Sequence, residues 1–184
     1  MQTCLDGGPD WGECLCGAGG GSGGGGQPSG GASSGGAVSD EPPEMEGMTA
    51  AHNAVRARVA DASSPLPPLE WSAELAGAAQ DWADQLAARD CPMQHSSNGY
   101  GENILHGWGT SLTVTEVVEN WATEIECFTN GPYETCSCTC GHYSQLVWRR
   151  TQLVGCARAA CPDGSSIWVC DYDPPGNFLG ETPY

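Results

Sequence analysis

Eight cysteines lie between Cys91 and Cys170, three of them alternating in the run CSCTC from Cys136 to Cys140. An even set can close entirely on itself, and each crosslink holds two points of the chain within a few ångströms, so the fold must gather these segments. Disulfides persist where thiols are not kept reduced, and the chain is therefore expected outside the cytoplasm. A metal knuckle is the competing use. It would want C-x-x-C spacing, whereas C-x-C-x-C throws successive side chains to alternate sides of an extended segment, so disulfides are preferred.

The rest of the chain divides by composition. Residues 17 to 36, GAGGGSGGGGQPSGGASSGG, cannot pack and should be a flexible coil reaching about 25 Å. Residues 1–16, with Cys4, Cys14 and Cys16, read as a short crosslinkable segment, residues 17–43 as linker and residues 44–184 as the folded domain. The opening MQTCLDGGPDWG has neither the basic start nor the apolar run of a signal peptide. No window carries about 18 consecutive apolar residues, so no transmembrane helix is expected. The chain has no lysine, and its formal net charge of −17 would repel phosphate backbones, which argues against nucleic acid as a partner.

Within the domain, three helices follow from periodicity. In EMEGMTAAHNAVRARVA, residues Met45, Met48, His52, Val55 and Val59 recur at steps of three and four, with SSPLPP as the stop. His52 falls on the buried face, as a core histidine rather than a ligand. The second helix, SAELAGAAQDWADQLAARD, has Ser72 as N-cap and a stripe of Leu75, Ala79, Trp82 and Leu86. The third, TVTEVVENWATEIE, opens on a capping box of Thr113 and Glu116 and should carry Val114, Val118, Trp121 and Ile125 inward, with Glu124 at the edge of that face. Finally LVGCARAAC and SSIWVCDYD read as strands joined by the turn PDG, an arrangement that sets Cys156 and Cys170 on facing halves of a hairpin. Helices followed by a late antiparallel hairpin predict an α+β layered domain.

Four stretches, AHNAVRARV, YGENI, GHYSQLVW and CDYDPPGNFLGETPY, resemble in order and spacing the signatures of the CAP superfamily, which groups cysteine-rich secretory proteins, antigen 5 and plant pathogenesis-related class 1 proteins. The resemblance covers residues 44 to 184 and is nearest to the plant class 1 proteins. It implies a secreted three-layer α-β-α sandwich stapled by disulfides, without established enzymatic activity and with ties to sterol or fatty-acid binding and to defence. It also implies a cleft tetrad of His95, Glu102, Glu124 and His142. Two neutral imidazoles can hold Zn²⁺ through His95 and His142 while the carboxylates orient them, and the alternative is a polar network that only braces the cleft. The resemblance supports disulfides Cys91–Cys161 and Cys156–Cys170 and leaves Cys127, Cys136, Cys138 and Cys140 unassigned.

The leading expectation is a secreted or surface-tethered, non-enzymatic binding module for sterol or another lipid. The rival is a metal-dependent or serine-type hydrolase, but Ser96 and Ser144 are only sequence neighbours of His95 and His142, and no G-x-S-x-G elbow supports either. The end, PPGNFLGETPY from Pro174 to Tyr184, matches a peptide that class 1 proteins can release, and reads more simply as a closing strap.

Overall fold

A computed structural model describes residues 40–60, 62–108, 112–129 and 131–184. The segment 1–16 and nearly all of the glycine linker, including Cys4, Cys14 and Cys16, lie outside the described residues. In chain order the elements are α1 (Met48–Ala57), β1 (Glu70–Trp71), α2 (Ala73–Ala87), β2 (Gly101–Gly107), α3 (Val114–Ala122), α4 (Gly141–Leu146), β3 (Leu153–Ala160) and β4 (Ser166–Asp173). The strands form one sheet in the order β1-β3-β4-β2, with β1 parallel to β3 and the other pairings antiparallel.

Strand alternation divides the core between the two faces of this sheet. One face meets α2: Ala79, Ala83 and Leu86 of the helix pack with Ile104, Ala157, Ile167 and Val169. The other meets α1, α3 and α4, where Val55, Val118, Trp121 and Leu146 pack with Val154, Cys156, Trp168, Cys170 and Tyr172. This is the three-layer α+β sandwich. Each fully buried valine, leucine or isoleucine among them contributes about 1.5–3 kcal/mol. Helix α2 lies so close to β3 that a Cβ at Gly155 would stand 2.2 Å from Ala76 N and 2.5 Å from Ser72 O.

Three details depart from the periodic reading. The first helix does not run from Glu44: Pro43–Met45 is a 3₁₀ turn, Gly47 takes a left-handed φ of 89°, and α1 begins at Met48. Glu41 helps to start it, accepting from the amides of Gly47 at 2.8 Å and Thr49 at 2.7 Å. Its stop is Arg58, several residues ahead of SSPLPP, and Val59 is only half-buried. In α2, Ala83 takes the buried place expected of Trp82, which is half-buried and donates to the carbonyl of Gln94 at 2.9 Å. After Ala122 the chain tightens into a 3₁₀ turn, Thr123–Glu126, which rotates Ile125 out of the core to 53% exposure. The caps at Ser72 and at Thr113–Glu116 are present.

Four disulfides join Cys91–Cys161, Cys127–Cys138, Cys136–Cys140 and Cys156–Cys170. Cys156 and Cys170 are direct partners across β3 and β4, with their Cα atoms 4.1 Å apart. Among the described residues no helix is long and apolar enough to cross a membrane.

Candidate functional site

The four tetrad residues come from four different segments, and the structure joins them as two pairs. His95 stands in the connection after α2, which is anchored by Cys91–Cys161 and by the Trp82 bond to Gln94. Its Nδ1 donates to Glu102 Oε1 at 2.5 Å, and the Ser96 amide donates to the same oxygen at 3.0 Å. Glu102 lies on β2 with its side chain only 5% exposed. The second pair depends on the 3₁₀ turn after α3. That turn brings Glu124 across the first turn of α4, where one oxygen accepts from His142 Nδ1 at 2.7 Å and the other from the amides of His142 at 2.8 Å and Tyr143 at 3.0 Å. Trp121 stacks on the His142 ring with centroids 6.1 Å apart.

Each imidazole is therefore held by a carboxylate at Nδ1, which leaves Nε2 as the atom through which it can bind a metal. The tetrad does not gather three ligand atoms within 4.8 Å of one another. Its donor set suits an ion held by two imidazoles with the remaining positions open, and the carboxylates act as orienting groups. Neither serine is placed for nucleophilic chemistry. Ser144 is buried and bonds to Gly141 O and Asn177 Oδ1, while the Ser96 hydroxyl lies 3.5 Å from the Asn98 amide.

A buried chain of hydrogen bonds ties both pairs to the core. His52 Nδ1 donates to Met48 O at 2.8 Å, so its Nε2 is the acceptor for the Tyr172 hydroxyl at 2.9 Å. The oxygen of Tyr172 in turn accepts from the Asn103 amide at 3.2 Å, and that amide also donates to the carbonyl of His142 at 3.2 Å. Asn103 adjoins Glu102 on β2, so one residue touches the backbone of the second pair while flanking the first. Burial, then the nearby Arg56 cation, push the His52 imidazole down to about 4, and it stays neutral. Arg56 itself is lowered by burial to about 10 and donates only to carbonyls, those of Pro67, Leu146 and Trp148.

Asp171 belongs to the same neighbourhood and carried no expectation. It is the β4 partner of Glu102, fully buried, with Oδ2 accepting from Asn98 at 2.8 Å and Oδ1 without a partner. Loss of hydration, then the charge of Glu102, push its carboxyl up to about 7. The signal was in the sequence: alternation in WVCDYD sets Asp171 on the face of Ile167 and Val169, an acid among apolar residues.

Two further features border the site. A groove of about 350 Å³ runs between α1 and α3, lined by Val55, Arg58, Glu119, Ala122, Ile125 and Tyr143 among others. The last eleven residues pack over α4: the Gly176 amide donates to Gln145 Oε1 at 2.9 Å, Asn177 donates to Gly141 O at 2.8 Å, and Pro183 O accepts from Arg149 N at 2.8 Å.

A family model described as CAP, the cysteine-rich secretory protein family, matches residues 49–172. Over 136 residues the chain is 44% identical to pathogenesis-related protein 1A of Nicotiana tabacum, covering 73% of this chain and 77% of that protein. Over 134 residues it is 38% identical to pathogenesis-related protein 1 of Arabidopsis thaliana, covering 73% and 78%. Among solved structures, hookworm platelet inhibitor aligns with a TM-score of 0.66 at 23% identity over 80% of this chain and 81% of that one, a likeness of fold. NaASP2, solved with Zn²⁺, aligns with a TM-score of 0.64 at 25% identity over 77% and 84%.

Proposed function

The chain belongs to the CAP family of cysteine-rich secretory proteins, with relatives among the pathogenesis-related class 1 proteins of plants, and from that membership we propose that it is a secreted, non-enzymatic binding module for a sterol or another lipid. The groove between α1 and α3 carries this reading. Its floor is apolar, through Val55, Ala122 and Tyr143, and Ile125 stands on its rim more than half exposed, while Arg58 and Glu119 border it and pair with each other at 2.9 Å. An apolar tail lying there would cover Ile125, and a volume of about 350 Å³ is at the lower end of small-ligand sites. The test is saturable binding of radiolabelled cholesterol and palmitate at micromolar concentration, about −8 kcal/mol, repeated with Ala122→Trp to fill the groove. Loss of binding in the variant supports the assignment. Absence of saturable binding to either lipid in the wild type overturns it.

Zn²⁺ is the cofactor we propose for the tetrad, on His95 and His142, with Glu102 and Glu124 fixing the two rings. Bound there, the ion would supply a Lewis-acid centre with open positions. NaASP2, a protein of the same fold, was solved with that ion. Calorimetry on the oxidised protein should give about one zinc per chain, abolished by His142→Ala and weakened by Glu102→Gln. No zinc heat would leave the tetrad a brace. Ester or peptide turnover lost in both variants, with folding intact, would replace the binding module by a hydrolase.

A further inference from the structure

His106 takes no part in the tetrad. It lies on β2 beyond Glu102, against the turn that joins β3 to β4, with Trp108 over its ring at 4.5 Å. Its Nε2 is 2.6 Å from Ser165 Oγ and 3.8 Å from Cys161 Sγ. Ser165 in turn donates its hydroxyl to Asp163 Oδ1 at 2.5 Å and its amide at 2.9 Å. The order of residue types mimics a catalytic triad, but the proton runs the wrong way. The single hydroxyl proton of Ser165 goes to a carboxylate, so Ser165 accepts from His106 and has no base to activate it.

The arrangement suits a metal better. Among the described residues only two groups bring three ligand-type atoms within 4.8 Å of one another: His52 with Cys156 and Cys170, sealed in the core, and His106 with Cys161 and Asp163, which reaches solvent through Asp163. In a tetrahedral zinc site, bonds of about 2.3 Å to sulfur and about 2.0 Å to nitrogen put those two atoms about 3.5 Å apart. Cys161 Sγ and His106 Nε2 stand at 3.8 Å. Cys91 stands outside that group of three but is bonded to Cys161 with their Cα atoms 5.9 Å apart, so its sulfur becomes the fourth ligand by turning toward the group once reduction frees it.

We propose that Cys91, Cys161, His106 and Asp163 form a zinc site that the Cys91–Cys161 disulfide masks and a dithiol reductant exposes. A dithiol gives two electrons and two protons to the disulfide and is itself oxidised to a disulfide, leaving Cys91 and Cys161 as thiols. On binding Zn²⁺ both thiols release their protons to water, His106 gives up its bond to Ser165 and passes its Nε2 proton through water to Nδ1 so that Nε2 offers a lone pair, and Asp163 completes the set. With the disulfide closed, the sulfur is no thiolate and His106 stays on Ser165. The site shares no ligand with the tetrad, so it stands or falls apart from the function proposed above.

The test uses the whole protein, reduced with dithiothreitol, freed of it anaerobically and titrated with Co²⁺, whose thiolate charge-transfer band reports sulfur ligation. The reduced wild type should bind with that band and release the cobalt to zinc, and the oxidised protein should show no band. His106→Gln keeps a donor for Ser165 and should weaken binding at least tenfold. Cys91→Ala with Cys161→Ala should remove this component, whereas His142→Ala should retain it. Reduction also frees the four cysteines at positions 127, 136, 138 and 140, so the dependence on His106 is the deciding readout. Binding equal to wild type in His106→Gln or in the double alanine variant overturns the proposal, as does a reduced chain whose circular dichroism shows that it no longer folds.

Discussion

Between about pH 4.5 and pH 6 the stability of this protein should barely change, and replacing Asp171 with Asn should make it climb with pH. In the fold, burial pushes His52 down to about 4 from 6.5 and pushes Asp171 up to about 7 from 3.8. Within the window the unfolded chain carries a proton on the histidine that the folded chain lacks, so each unit of acidification favours unfolding by about 1.4 kcal/mol. For Asp171 the folded chain carries the extra proton, and each unit of rising pH favours unfolding by the same amount. The His52 contribution is complete above its unfolded value and lost as pH falls through the folded one. The Asp171 contribution is complete below its unfolded value and lost as pH rises through the folded one. Over these 1.5 units each amounts to about 2 kcal/mol, and the two cancel.

Asn at position 171 keeps the shape and can still accept from Asn98, so it should leave the His52 slope alone and gain about 2 kcal/mol across the window. His52→Gln, which can still accept from Tyr172, should show the reverse decline. The exposed carboxylates of Glu116 and Asp163 are held below the usual range by bonds from Thr113 and Ser165, and they act at lower pH. Urea denaturation at fixed ionic strength across the window measures all three proteins. Parallel pH profiles would refute the reasoning, because neither buried group would then exchange its proton on unfolding.

Gly155→Ala should cost about 3 kcal/mol, since the new methyl meets helix backbone rather than a movable side chain, whereas Gly77→Ala, with nothing within 4 Å, should gain up to about 1 kcal/mol in the same denaturation assay. Ending the chain at Asp173 should lower the melting temperature sharply and weaken zinc binding, because Ser144 and Gln145 on α4, both buried, lose their partners on Asn177 and Gly176 at about 1–3 kcal/mol each. An unchanged melting curve would show that the tail is not a strap.

Sequence periodicity made the long elements legible and the short ones opaque. Ser72, and Thr113 with Glu116, announce α2 and α3 because a cap is a local event that side chain and backbone settle between them. Helix α4 has six residues, too few for a period to be counted, and β2 begins at a glycine and carries Glu102 and His106 among its apolar residues. Ile125 shows the limit of extrapolation: a change from α to 3₁₀ winding after Ala122 turns it outward, and the same change delivers Glu124 to His142. The tetrad residues were named through resemblance rather than spacing, while Asn103 and Tyr172 were missed because their roles depend on which strand lies beside which. The pairing of the four loop cysteines was equally a matter of three dimensions.

The bond between Cys91 and Cys161 spans 70 residues. His95, Glu102, Glu124 and His142 all fall inside that span, so the tetrad sits within one covalent macrocycle whose closure is worth about 4 kcal/mol of denatured-chain entropy. Helices α1 and α2 are arms outside the ring, and strand β4 is tied back to it through Cys156–Cys170. A single protease nick in the loops that carry the tetrad would open the circle without separating the histidines, and the cut protein would keep its full mass, apart from one added water, until it was reduced.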